Sequence, residues 1–261
     1  MTRFVHRIRD QFRFEQKELR DIAIVSVCFG FILSFRDWGG GESVQIAAGI
    51  LNLVNASLVV FLSMALVLIA QKAFAIKRSH TVSFRAWYLG LAAGLFLGFL
   101  SSGFWPLLVP GGLLFSTVRT FKLGDKYEGN ILHASRAYIA FLGPLTHLLL
   151  AYLFSLLVWV GIDNYLVQKG ILLNVILGII TILPIPQIEA FFRPISKRSA
   201  ATINLDGFYI FYHSRIFYVF ALIFIILLAI LLFQIPSILA LLVAAIIAGA
   251  GALIYTFSKE L

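Results

Sequence analysis

Residues 66–77 read LVLIAQKAFAIK. This stretch closes an apolar run that begins near Val44, and it carries Gln71 and Lys72 close to where that run should meet water. Apolar runs of roughly 17–25 residues are helices able to span a bilayer. The run from Val44 to Ile76, about 33 residues, exceeds one perpendicular crossing. It therefore predicts either a long tilted helix or a short outer helix followed by a span.

The rest of the chain has the same character. Of its 261 residues, 61% are hydrophobic and 13% charged, with a mean hydropathy of +0.96. Soluble domains average about 25% charged residues, so one aqueous core cannot hide this surface. The expected fold class is an all-α polytopic membrane protein of about six spans. The runs do not alternate, which excludes an outer-membrane barrel. The net charge of +9 sits in short segments between apolar runs. Orientation by inner-side lysine and arginine accounts for that, and nucleic acid is not an expected partner. A single cysteine, Cys28, allows no intrachain disulfide. Residues 1–20 are too charged for a signal peptide and read as a basic, amphipathic cytoplasmic segment preceding a membrane domain over 21–261.

Spans are expected at about Ile22–Phe35, within Val44–Ile76, and at about Tyr138–Val160, Ile171–Leu183, Ile216–Phe233 and Ile238–Phe257. Between the second and third, Trp87–Ser116 is apolar but broken by Pro106, Pro110, Gly111 and Gly112. This reads as a re-entrant or partly β hairpin, buried in protein because lipid would not satisfy its backbone. Gly90, Gly94 and Gly98 recur every fourth residue and should pack closely on another helix, with the hairpin lying against the second and fourth spans. Lysine and arginine cluster in 1–20, 77–85, 119–136 and 193–215. That pattern places both termini in the cytoplasm of a cell-membrane protein.

Several landmarks together resemble the site-2 protease family of intramembrane zinc metalloproteases, in its compact six-span archaeal form. Glu18-Leu19-Arg20-Asp21 opens the first span, Ser83-Phe84-Arg85-Ala86-Trp87 follows the second, and Pro110-Gly111-Gly112 lies in the hairpin. Gly143-Pro144-Leu145-Thr146-His147 stands where the family has G-P-x-x-N, and Leu183-Pro184-Ile185-Pro186-Gln187-Ile188-Glu189 where it has P-I-P-P-L-D-G. The resemblance places the zinc motif H-E-x-x-H-K on Val67-Leu68-Ile69-Ala70-Gln71-Lys72. The positions of both histidines and of the catalytic glutamate thus hold Val67, Gln71 and Leu68.

That loss is severe. Histidines at i and i+4 supply two zinc ligands from one helix face, and the glutamate takes the proton from zinc-bound water. Valine cannot ligate, leucine cannot act as a base, and an amide is a poor ligand. The family aspartate falls on Glu189 in ungapped register, or on Asp206 of Leu205-Asp206-Gly207 if residues have been inserted. The expectation is no metal, no cofactor and a catalytically inactive relative that binds transmembrane partners. The alternative is an active protease with a metal site relocated to His147, Asp206 and Glu189.

Gln71 and Lys72 read as finishing a helix, Lys72 reaching the interface; the rival reading has Gln71 and His147 lining a polar cleft. His147 is expected to bond a nearby carbonyl or Asn174. Pro184 and Pro186 stop the fourth span and, by the resemblance, border a groove that also takes in Gln71, His147, Glu189 and Asp206. A partner would enter through apolar walls and any free strand edge.

Overall fold

The computed structural model describes residues 12–39, 45–78, 80–117, 128–186, 204–234 and 238–257. The expected amphipathic segment falls largely outside them. The described elements are α1 (Gln16–Ser34), α2 (Ile46–Lys77), β1 (His80–Ala86), α3 (Tyr88–Leu100), β2 (Gly111–Thr117), α4 (Glu128–Trp159), α5 (Tyr165–Ile182), α6 (Asp206–His213), α7 (Arg215–Gln234) and α8 (Ile238–Phe257).

Among the described residues four stretches are long and apolar enough to cross a membrane: Ile46–Lys77, Ala134–Trp159, Tyr165–Ile182 and Arg215–Leu232. Shorter apolar helices cover Tyr88–Leu100 and Val243–Thr256. The long apolar run is one unbroken helix, α2, of 32 residues. At 1.5 Å per residue that is about 48 Å, longer than the roughly 30 Å hydrocarbon core, so α2 tilts or projects. Its Asn52 does not break it, because the side chain donates 2.8 Å to the Asp37 carbonyl at the adjoining turn. α5 starts where Asn164 accepts the Val167 amide at 3.0 Å, an N-cap, and stops before Pro184.

The expected hairpin is present and mixed. β1 and β2 pair antiparallel from His80↔Thr117 to Ala86↔Gly111, which brings its two ends together. Between them α3 runs out and the chain returns through 101–110. β1 alternates, with His80, Val82, Phe84 and Ala86 buried and Thr81, Ser83 and Arg85 partly covered. The glycine ridge packs closely on another helix, α1, and the hairpin shares a buried cluster with α2 and α5, the second and fourth spans. A Cβ at Gly94 would overlap the Leu107 carbonyl and lie 3.5 Å from Ile32, and one at Gly98 would lie 3.6 Å from Ile32. Among the described residues two large buried apolar clusters result, besides a small one of Trp87, Val109 and Leu205. One joins α1, α2, the hairpin and α5; the other joins α4, α5, α6, α7 and α8.

Candidate functional site

The two clusters meet at a cleft of about 30 Å³, room for one or two waters. Its walls are Met64, Val67, Leu68 and Gln71 from α2, Phe84 and Pro110–Leu113 from the hairpin, His147 from α4, Thr181 from α5 and Asp206 from α6. Helical spacing explains the α2 wall, since positions 64, 67, 68 and 71 lie on one face. Val67, Leu68 and Gln71 are all buried.

Gln71 does not finish a helix, because α2 continues to Lys77. Its Nε2 donates 3.1 Å to Asp206 Oδ2, joining residues 135 apart in sequence. The contact depends on Gly143 of α4, where a Cβ would overlap Asp206 Oδ2 and come within 2.6 Å of Gln71 Nε2. Gly207 is pinned similarly, for its Cβ would overlap the Ile182 carbonyl at the end of α5. These two close approaches seat Leu205-Asp206-Gly207 against α5 and aim Asp206 at α2. Asp206 stands outside the four candidate spans. Burial, opposed by the Gln71 hydrogen bond, pushes its carboxyl up to about 8.

His147 lines the same cleft from inside α4. Asn174 Nδ2 donates to Ser63 Oγ at 3.0 Å and to the Gly170 carbonyl at 2.8 Å, so Asn174 Oδ1 is the acceptor facing His147 Nδ1 at 2.9 Å. Nδ1 therefore carries the proton and Nε2 keeps the lone pair. Glu189 lies outside the described residues. Pro184 is half-buried beyond α5, and Pro186 forms an isolated bridge with Asn204; neither lines the cleft.

Lys72 is the clearest departure from expectation. It does not reach the interface but is 6% exposed, its Nζ 2.8 Å from Oε2 of the wholly buried Glu18. It also donates 3.0 Å to the Arg13 carbonyl and lies 4.8 Å from the Phe14 ring centre. Desolvated Lys and Glu are tolerated only when paired and fully bonded. The second Glu18 oxygen, Oε1, accepts the Phe84 amide at 2.9 Å, and Asp21 Oδ2 accepts the Ala86 amide at 3.3 Å. The only sequence signal for this was a group of charges at the start of an apolar helix.

These carboxylates cover the outer edge of β1. In an antiparallel pair alternate residues point away from the partner strand, and Phe84 and Ala86 do so here. The facing edge of β2 is met at Leu113 by the Asn204 bridge and by the Tyr209 hydroxyl, which donates 2.9 Å to the Leu113 carbonyl. At these positions neither edge is free, so the strand-edge route expected from sequence is closed there.

Zinc needs nitrogen, sulfur or oxygen donors converging on one point. Val67 and Leu68 offer none and the Gln71 amide donates to Asp206, which leaves His147 Nε2 and the Asp206 carboxylate, fewer than the three ligands a protein zinc site supplies. Among the described residues no three His, Cys, Asp or Glu side chains converge. The described residues do not fit a zinc ion. No protein-family model and no solved structure matches the chain. A curated protein of Methanocaldococcus jannaschii, named as a putative zinc metalloprotease, is 26% identical over 188 residues, covering 68% of this chain and 83% of its own length; that is a distant similarity to a metalloprotease.

Proposed function

We propose that this chain is a catalytically inactive, site-2-protease-like protein of the cell membrane, both termini cytoplasmic, which binds transmembrane partners as an adaptor, chaperone or complex subunit. The observation that carries the reading is the α2 face of the cleft. Where the resemblance calls for two ligands and a base, Val67 and Leu68 are buried apolar side chains and Gln71 is spent on Asp206. Losing a general base alone typically costs 10²–10⁴-fold; losing two ligands removes the metal that makes the nucleophile. The similarity to a metalloprotease supports the family and says nothing of activity here. With both hairpin edges engaged, a partner helix meets this protein through apolar faces, by packing of small and apolar side chains.

A second reading rests on His147 and Asp206 lining one cleft: a metal relocated between them, with proteolysis retained. Elemental analysis after chelator-free purification separates the two. Under the first reading zinc is far below one per chain. About one zinc per chain, lost on His147→Ala or Asp206→Ala, would establish the second. The partner role is tested by crosslinking in native membranes followed by purification in mild detergent. A chain that recovers only lipid, in every fraction, counts against it.

A further inference from the structure

The end of the bundle where α2 stops and β1 begins carries two arginines that the cleft does not use. Arg78 caps the C-terminus of α2, and its guanidinium carbon lies 5.4 Å from the Phe74 ring centre and 5.8 Å from that of Tyr138. Arg136, two residues before Tyr138 on α4, holds its guanidinium carbon 5.9 Å from the Phe115 ring centre. Phe115 pairs with Val82 across the hairpin, and Val82 shares its buried face with His80. His80 Nδ1 is 2.7 Å from the Arg78 carbonyl and donates to it. Burial, opposed by the hydrogen bond to the Arg78 carbonyl and aided by the charge of Arg136, holds the His80 ring toward its neutral form. Arg78, His80 and Arg136 therefore share one corner, walled by aromatic rings.

Among the described residues that corner has cations and no matching acid, and neither arginine makes an ion pair. Among the same residues Arg136 Nε is buried without an acceptor, and so is the second ring nitrogen of His80, a residue only 4% exposed. Buried polar atoms without partners are rare and call for a reason. Stacking on ring faces fixes a guanidinium while leaving its N–H edge free, and that fixed fork matches the oxygens of a phosphate. The general excess of basic residues on one side of a membrane explains their number. It does not explain a buried guanidinium nitrogen with nothing to bond.

We infer that Arg78 and Arg136 form a site for a phosphate group, of the kind an anionic lipid headgroup presents at this face of the membrane. The corner stands at the end of a candidate span, and Tyr138 beside it is 41% exposed, as aromatic residues at the headgroup level are. The arginine edges take the phosphate oxygens, and the acyl chains run along the apolar flank of α2 and α4.

The test is lipid titration of the delipidated chain in mild detergent, read by native mass spectrometry and by thermal melting. Phosphatidylglycerol should be retained as one molecule per chain at concentrations where phosphatidylcholine is not. Arg78→Gln and Arg136→Gln should each weaken retention about tenfold, the loss of one charge-assisted hydrogen bond. Arg136→Lys, which keeps the charge but not the fork, should recover part of the retention lost in Arg136→Gln, a recovery that a merely misfolded variant would not show. Lys77→Gln, removing an exposed neighbouring charge, should leave retention unchanged. Equal retention of the two lipids, or an effect of Lys77→Gln as large as that of the arginines, would overturn the site. Stabilisation by inorganic phosphate matching that by phosphatidylglycerol would overturn the lipid source and assign the corner to a soluble phosphate.

Discussion

Replacing Lys72 by methionine tests whether the α1–α2 contact rests on a buried ion pair. The Lys72–Glu18 distance is 2.8 Å, with Lys72 6% exposed and Glu18 wholly buried. Methionine keeps most of the aliphatic stem but leaves the Glu18 carboxylate facing apolar surroundings, with only the Phe84 and Glu15 amides as donors. Removing one partner of a buried pair typically costs about 3–5 kcal/mol. For a chain of this size a kilocalorie shifts the melting temperature by about 2–4 °C, so Lys72→Met should melt roughly 6–20 °C lower in detergent. Adding Glu18→Gln removes the stranded charge while keeping one acceptor for the β1 edge. The double variant should therefore recover at least half the loss, giving a coupling energy of opposite sign to the single effects. Melting curves of the four proteins, in one detergent and at one pH, close the cycle. A neutral Lys72→Met, or a double variant no more stable than it, refutes the buried-pair account and returns Lys72 to the interface.

Other outcomes follow from the same contacts. Gly143→Ala should separate Gln71 from Asp206 and cost about 1–3 kcal/mol through overpacking; unchanged melting would mean that α6 is not seated against α4 as described. Gly94→Leu should disrupt the packing of α3 on Ile32 and the Leu107 carbonyl, seen as lost folded yield or a lower melting temperature. Burial pushes the Asp206 carboxyl from its ordinary 3.8 up to about 8, so the folded chain binds its proton more tightly and the associated stability, full below about pH 4, falls as pH rises through 8. Asp206→Asn removes that titration, and its melting temperature should gain on the parent from pH 5 to pH 8; a gap independent of pH refutes the buried carboxyl. Labelling of a cysteine at position 199 from outside intact cells, in a background lacking Cys28, would refute the cytoplasmic placement of 193–215.

The sequence alone determined the membrane class, the helices and the hairpin. Length, hydropathy and the breaks at proline and glycine act within a few residues of chain, so a pass along the sequence reads them directly. The run ending at Lys77 had to be helical because nothing in it interrupts backbone bonding in lipid. The turn at Pro110-Gly111 had to break one, and Gly111 takes φ +138° where a side chain would overlap the Arg85 carbonyl. That Val67 and Leu68 offer neither a metal donor nor a base was equally legible, because it concerns which atoms a side chain possesses. Only the tertiary structure decided where the polar groups go. Lys72 at a helix end and Lys72 paired with Glu18 have the same local sequence, and the choice depends on α1 packing against α2. Likewise Asp206 reaches Gln71 across 135 residues because two glycines let α4 and α5 approach it. The physical reason is common to both: burying a charge is unfavourable until a partner is placed within hydrogen-bonding distance, and only the folded chain places that partner.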